Sequence, residues 1–183
     1  MTKQHLRRSV RLRDYDYSQR GAYFVTIVAF QRKCLFGDIM NGEMSLSECG
    51  KIVEEQWLKA AQMRKEIELD VFVIMPNHLH GIVIIKNESR VGAHGRAPLH
   101  RAPRSLGSLV AGFKSAATKR INGIRNYYEH IIRGERDFDA IRRYVLENPL
   151  GWARDPENPN SRTRGRPSTL GDHRESPLPG PLW

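Results

Sequence analysis

Leu69 to Lys86 reads LDVFVIMPNHLHGIVIIK, two apolar runs rich in valine and isoleucine on either side of the short segment PNHLH. Branched residues favour a pleated surface and the Pro-Asn pair interrupts it, so the pattern predicts two antiparallel strands, neighbours in one sheet. On an extended backbone alternate side chains share a face, so His78 and His80 project together with their Cα atoms roughly 6.5 Å apart. Two imidazoles so placed can converge on one ion. Pro76 suits the strand entry, where a missing N–H costs no ladder hydrogen bond, and Gly81 leaves room for something to approach the backbone. Half-buried histidines satisfied by hydrogen bonds would give the same pattern. If the pair does bind metal, two imidazoles are too few for a closed zinc site. An oxygen ligand, waters and a phosphate oxygen would complete an open octahedral site, which points to Mg2+ or Mn2+.

Working outward, AYFVTIVAF at Ala22 to Phe30 follows Gly21 and has the composition of a first strand. After an Asn41-Gly42 turn, Ser45 and Glu48 stand at capping-box spacing, and Leu46, Cys49, Val53 and Trp57 recur along one face, which predicts the first helix. Leu106, Leu109, Val110, Phe113, Ala117 and Ile121 mark a second amphipathic helix, with Lys114, Lys119 and Arg120 left for solvent. NYYEHII, Asn126 to Ile132, reads as a further strand. Phe138, Ile141 and Val145 predict a third helix over about Asp137 to Asn148, with Pro149 as its stop. The order strand, helix, strand, strand, helix, strand with one appended helix predicts an α+β chain of ferredoxin-like βαββαβ type, an antiparallel sheet with helices on one face. That fold does not name a function.

The 183 residues suffice for one domain, and a formal net charge of +10 favours a polyanionic partner. Residues 1–20 read as a basic arm bearing Arg7, Arg8, Arg11 and Arg13; 21–152 as the domain proper; 87–104 as a mobile basic loop inserted in it; and 153–183, rich in Pro, Gly and Arg, as a disordered tail with no catalytic part. No apolar run approaches the roughly 20 residues that cross a bilayer, and no apolar stretch follows the first arginines, so a cytoplasmic location without membrane is expected. Cys34 and Cys49 lack metal-type spacing, which excludes a zinc ribbon and leaves two reduced thiols.

MPNHLHGIV, together with YYEHIIR, RRYVLENPLGW and the upstream RLRDYDYSQRGAYFVTI, resembles the REP-associated tyrosine transposases, relatives of the single-tyrosine transposases of the IS200/IS605 group. The resemblance spans about Arg7 to Trp152 in several separated motifs, outside the 87–104 loop and the tail. It implies an HUH nuclease, a metal-dependent enzyme that cuts and rejoins single-stranded DNA beside small hairpins through a 5′-phosphotyrosine. His78 and His80 then hold the metal, Tyr144 is the nucleophile, and Asn148 in YVLENP is a third ligand. Single-stranded DNA hairpins would be the partner, with no small-molecule substrate, and the chain would act as a monomer or homodimer.

The residues allow that assignment without requiring it. Tyr144 and Asn148 stand one helical turn apart, so both can face the histidines. A phenol of ordinary pKa near 10 needs help to act as a nucleophile, and Arg142 or Arg143 would supply a positive field beside the metal. By composition alone Tyr144 could as well cap the core beside Ile141 and Val145, and Asn148 could simply end a helix before proline. His130 is a supporting polar residue. Tyr127 and Tyr128 suit either base stacking or core packing. Arg7, Arg8, Arg11, Arg13, Lys114, Lys119, Arg142 and Arg143 are the expected DNA contacts, although an arginine cluster is often only a solvated surface. A non-catalytic nucleic-acid-binding module of the same fold is the alternative.

Overall fold

A computed structural model describes residues 15–86, 104–121, 124–155 and 157–161. The expected arginine contacts Arg7, Arg8, Arg11 and Arg13, the loop 87–103 and the tail from residue 162 lie outside the described residues.

Strand β1 (Gly21–Ala29) is followed by a short helical turn (Phe30–Arg32) and by a hairpin of β2 (Gly37–Met40) and β3 (Glu43–Leu46). Helix α1 (Glu48–Gln62), strands β4 (Ile67–Met75) and β5 (His78–Ile85), helix α2 (Leu106–Arg120), strand β6 (Ile124–Ile132) and helix α3 (Glu135–Gly151) complete the order. The main sheet runs β4-β5-β1-β6 with every pair antiparallel. Omitting the small hairpin, the chain visits those strands in ferredoxin-like order, and the fold is ferredoxin-like.

Three boundaries differ from the sequence expectation for local reasons. The β2–β3 hairpin is an addition to the expected order: Asn41 and Gly42 both take positive φ (54° and 81°), which a tight hairpin requires, and Asp38 pairs with Ser45. Ser45 is therefore in a strand, and the cap of α1 is Ser47, whose Oγ accepts from the Gly50 amide at 3.1 Å. Pro149 does not stop α3, which runs on to Gly151. At that position proline gives up only one backbone donor near the C-terminal end, and the Trp152 amide closes the helix on the Pro149 carbonyl.

The pleat of the sheet divides the core. Tyr23, Val25 and Ile27 of β1, with Leu79 and Val83 of β5, face α1 and α2, where Trp57, Leu109 and Phe113 are fully buried. Their neighbours Phe24 and Ile82 face the other way, against Ile141 and Val145 of α3. The larger cluster covers one face with two helices, and the smaller one docks α3 alone on the other. Gly81 lies under α1: a Cβ there would stand 3.1 Å from the Trp57 ring and 3.2 Å from Phe72, so what approaches this backbone is the core tryptophan. Within the segment expected as an arm, Tyr17 is buried and its carbonyl accepts from the Leu106 amide at 3.0 Å, which ties the start of the domain to α2.

Candidate active site

His78 and His80 stand at the start of β5, on the face that carries α3. The strand register sets His78 against Val28 and Met75, and His80 against Thr26 and Val73. Met75 pairs directly with His78, so Pro76 and Asn77 form the whole connection between β4 and β5 and both histidines belong to the strand. Their rings lie 4.4 Å apart between centroids at 65°, and only 1% and 4% of their surfaces are exposed.

Each ring is held through Nδ1. His78 Nδ1 is 2.7 Å from the Asn77 amide oxygen, and His80 Nδ1 is 2.8 Å from the Thr26 hydroxyl. Phe24 stacks on His80 at 5.1 Å and Trp152 lies 6.1 Å from His78. Burial pushes His78 down to about 3, with a further contribution from the Arg32 guanidinium, and burial followed by the neighbouring His78 holds His80 well below the ordinary histidine range. Both imidazoles are neutral at physiological pH, the state in which a ring nitrogen can bind a metal.

Helix α3 brings the other two expected residues to the pair. The Tyr144 hydroxyl is 3.4 Å from Nε2 of His80, with ring centroids 5.4 Å apart. Asn148 is buried one turn on, beside the phenol. Burial and then the carboxylate of Asp155 raise the Tyr144 pKa, and the Asn148 side chain opposes them. Of the buried side-chain polar atoms without a hydrogen-bond partner among the described residues, two stand in this site: His78 Nε2 and Asn148 Oδ1. An unpaired buried acceptor costs about 1–3 kcal/mol, so orphans of this type beside a neutral imidazole pair fit a site built for a cation. Among the described residues no cluster of three or more His, Cys, Asp or Glu is placed to hold a metal, and Asn148 has an unpartnered amide oxygen in the same site.

The expected basic contacts separate. Arg142 points to β4 and pairs with Asp70 at 3.3 Å, so it braces α3 against the sheet, while Arg143 is exposed. Lys114 and Lys119 ride on α2, across the sheet from the histidines, with Lys114 Nζ 5.6 Å above the Tyr127 ring. The fold does not bring these lysines to the Tyr144 site. His130 lies 3.4 Å from Asp137, whose same oxygen accepts from the Arg133 amide at 3.2 Å, so it belongs to the start of α3. Tyr127 packs on the α2 side, and Tyr128 pairs with Thr26 and so shares the histidine face.

Several site residues were not singled out in the sequence. Thr26 is the one aliphatic hydroxyl in the buried run of β1, and such a residue inside AYFVTIVAF is itself a signal of a buried partner. Asn77 adjoins the first histidine. Arg32 comes from a turn in which Gln31 and Arg32 both take positive φ (55° and 54°), costly for non-glycine residues. Asp155 and Glu157 come from the segment expected as tail. Arg32 forms an ion pair with Glu157, and burial raises the Asp155 carboxyl while Arg32 lowers it.

No family model matches the chain. A protein of Haemophilus influenzae (strain ATCC 51907 / DSM 11121 / KW20 / Rd), described only as uncharacterized, is 39% identical over 166 residues, covering 82% of this chain and 92% of its own. The chain belongs to the same family as that protein. Among solved structures, that of the REP-associated tyrosine transposase bound to a REP hairpin has a TM-score of 0.56 at 20% identity, over 78% of this chain and 73% of its own. That likeness is one of fold.

Proposed function

We propose that this chain is a metal-dependent endonuclease and strand-transferase of single-stranded DNA, with Tyr144 as nucleophile and His78, His80 and Asn148 as metal ligands. The observation that carries the reading is the Tyr144 hydroxyl at 3.4 Å from a neutral, buried imidazole that stands ring to ring with a second one. A purely structural pair would not require an unpartnered His78 Nε2 and an unpartnered Asn148 Oδ1 in the same buried site. Tyrosine in such a place does chemistry that phenylalanine could not.

In the proposed reaction the Tyr144 oxygen attacks a backbone phosphorus, its proton leaves, and the bond from phosphorus to the 3′ oxygen breaks. That oxygen takes up a proton as a free 3′ hydroxyl, and the 5′ phosphate stays on the tyrosine as a diester, ready for a second 3′ hydroxyl to reverse the exchange. A divalent ion such as Mg2+ or Mn2+, when bound, supplies Lewis-acid polarisation of the phosphoryl oxygens. The protein supplies the rest. Thr26 and Asn77 hold the rings, Phe24 fixes the approach of Tyr144 to His80, and α3 keeps phenol and amide on one face. Burial holds the phenol protonated until substrate arrives.

The net charge of +10 favours a nucleic-acid substrate. Since the solved relative in fold is described as bound to a REP hairpin, a DNA hairpin with a single-stranded flank is the substrate to try first. Incubation of a labelled hairpin oligonucleotide with the protein and Mn2+ or Mg2+ should give a covalent adduct on a denaturing gel, absent with chelator and absent from Tyr144→Phe. A protein that binds the hairpin yet forms no adduct under any divalent ion is a binding module.

A further inference from the structure

Asn77 is fully buried between the two elements that flank the histidine pair. Its side-chain nitrogen reaches two backbone carbonyls, Glu157 at 2.8 Å and Arg32 at 3.2 Å. Carbonyl oxygens only accept, so both contacts require the NH2 end of the amide and the orientation of the group is settled. The amide oxygen is then the end that faces His78 Nδ1 at 2.7 Å. An amide oxygen cannot donate, so Nδ1 must carry the proton, and the lone pair of the neutral ring is left on Nε2. That nitrogen is buried without a hydrogen-bond partner among the described residues. The backbone of Asn77 is fixed as well, since its carbonyl accepts from the Ala29 amide at 2.8 Å.

We propose that Asn77 is the positioning residue of the histidine pair: two carbonyls lock its amide, and the amide in turn locks His78 in the Nδ1–H form with Nε2 presented to the ion. This rests on reading the pair as a metal site. His80 differs, because the Thr26 hydroxyl can both donate and accept and so imposes no tautomer by itself. The two rings are thus unequally prepared, and His78 is the one whose ligand nitrogen is dictated by the fold. Hydrogen-bond partners of this kind typically alter metal affinity 10- to 100-fold.

The test uses the full chain. Long-range 1H–15N spectra of the metal-free protein report the tautomer of His78, and titration with Mn2+ alone, followed by electron paramagnetic resonance, reports affinity. The wild type should hold the proton on Nδ1. Asn77→Ala should lose that signature and bind Mn2+ about 10- to 100-fold more weakly. Since this variant also drops both carbonyl ties, Asn77→Asp separates the roles: it keeps an acceptor for His78 and loses both donors. The Asp variant should retain the Nδ1–H form and bind Mn2+ no more weakly than wild type, whatever it loses in melting temperature. A wild-type ring protonated on Nε2 overturns the proposal, and so do Ala and Asp variants that weaken Mn2+ equally. If the wild type binds no Mn2+ while its tautomer depends on Asn77 as stated, the metal reading falls and the positioning role stands.

Discussion

The Tyr144 hydroxyl and Nε2 of His80 lie 3.4 Å apart although the residues are 64 positions apart in the chain. That length is at the weak end of a hydrogen bond, so removing it has little effect on stability. Tyr144→Phe keeps the contact with Phe24 and should unfold within about 0.5–1 kcal/mol of wild type. Adduct formation should be abolished, since no hydroxyl remains to attack the phosphorus. Tyr128→Phe, on the same sheet face, should form adduct normally. A mass-spectrometric map that finds DNA on Tyr128 overturns the assignment.

Metal binding should depend on both histidines. His78→Ala and His80→Ala should each abolish measurable Mn2+ binding and cleavage with secondary structure retained by circular dichroism, and Asn148→Ala should weaken both less. Normal cleavage by the double histidine variant in chelator-treated buffer would sink the metal reading.

Acid should destabilise the metal-free protein through the same rings. His78 is pushed down to about 3 in the folded chain and returns to about 6.5 on unfolding, and His80 shifts in the same direction. Above pH 6.5 neither state binds the extra protons, so the stability from these rings is complete. As pH falls from there toward 3 the unfolded chain takes up a proton that folded His78 refuses, and stability drops by ~1.4 kcal/mol per pH unit for that ring, with His80 adding in the same direction. Urea unfolding in chelator at several pH values should show this slope, and His78→Gln should flatten it by about one proton. An unchanged slope in that variant refutes the assignment.

Lys114 and Lys119 occupy the α2 side of the sheet, away from Tyr144. Lys114→Ala with Lys119→Ala should therefore leave the binding of a short unstructured strand unchanged. A hairpin long enough to reach around the domain should lose salt dependence, by about 0.7 to 0.9 in log–log slope per phosphate contact removed. Equal loss for both substrates would place the lysines in the cleavage groove. Arg142→Ala should act on stability instead, at roughly 0–1 kcal/mol for a half-exposed ion pair with Asp70.

Gly81 offers a packing test independent of chemistry. Trp57 is fully buried against it and has nowhere to retreat, so Gly81→Val should destabilise by about 1–3 kcal/mol. A variant as stable as wild type would mean that α1 can shift on the sheet.

Residues close together in the chain made most of the fold legible. Branched apolar composition in LDVFVIM, GIVIIK and AYFVTIVAF and helical spacing in Leu106 to Ile121 each report a local preference, and local preference decides element type. The two-residue period of an extended backbone put His78 and His80 on one face, since residues two apart on a strand must share it. Where neighbours in space decided the outcome, sequence was silent. Capping-box spacing points to Ser45 as the cap of α1, and the β2–β3 hairpin takes Ser45 into a strand and leaves the cap to Ser47. Arg142 and Arg143 look alike in RRYV, and only the packing of α3 on β4 gave the first to Asp70. Lys114 and Lys119 are legible in the sequence only as DNA contacts, and that α2 carries them on the face opposite the histidines was decided by the packing of the sheet. Asn77, Arg32 and Glu157 meet because a turn, a strand entry and the chain beyond α3 close on one point, and contacts between such distant segments leave no periodic trace in the sequence. The sequence determined by itself which side chains share a strand or a helix face, because that follows from backbone geometry alone. Only the tertiary structure decided which of them reach the histidines, because that depends on how separate elements pack.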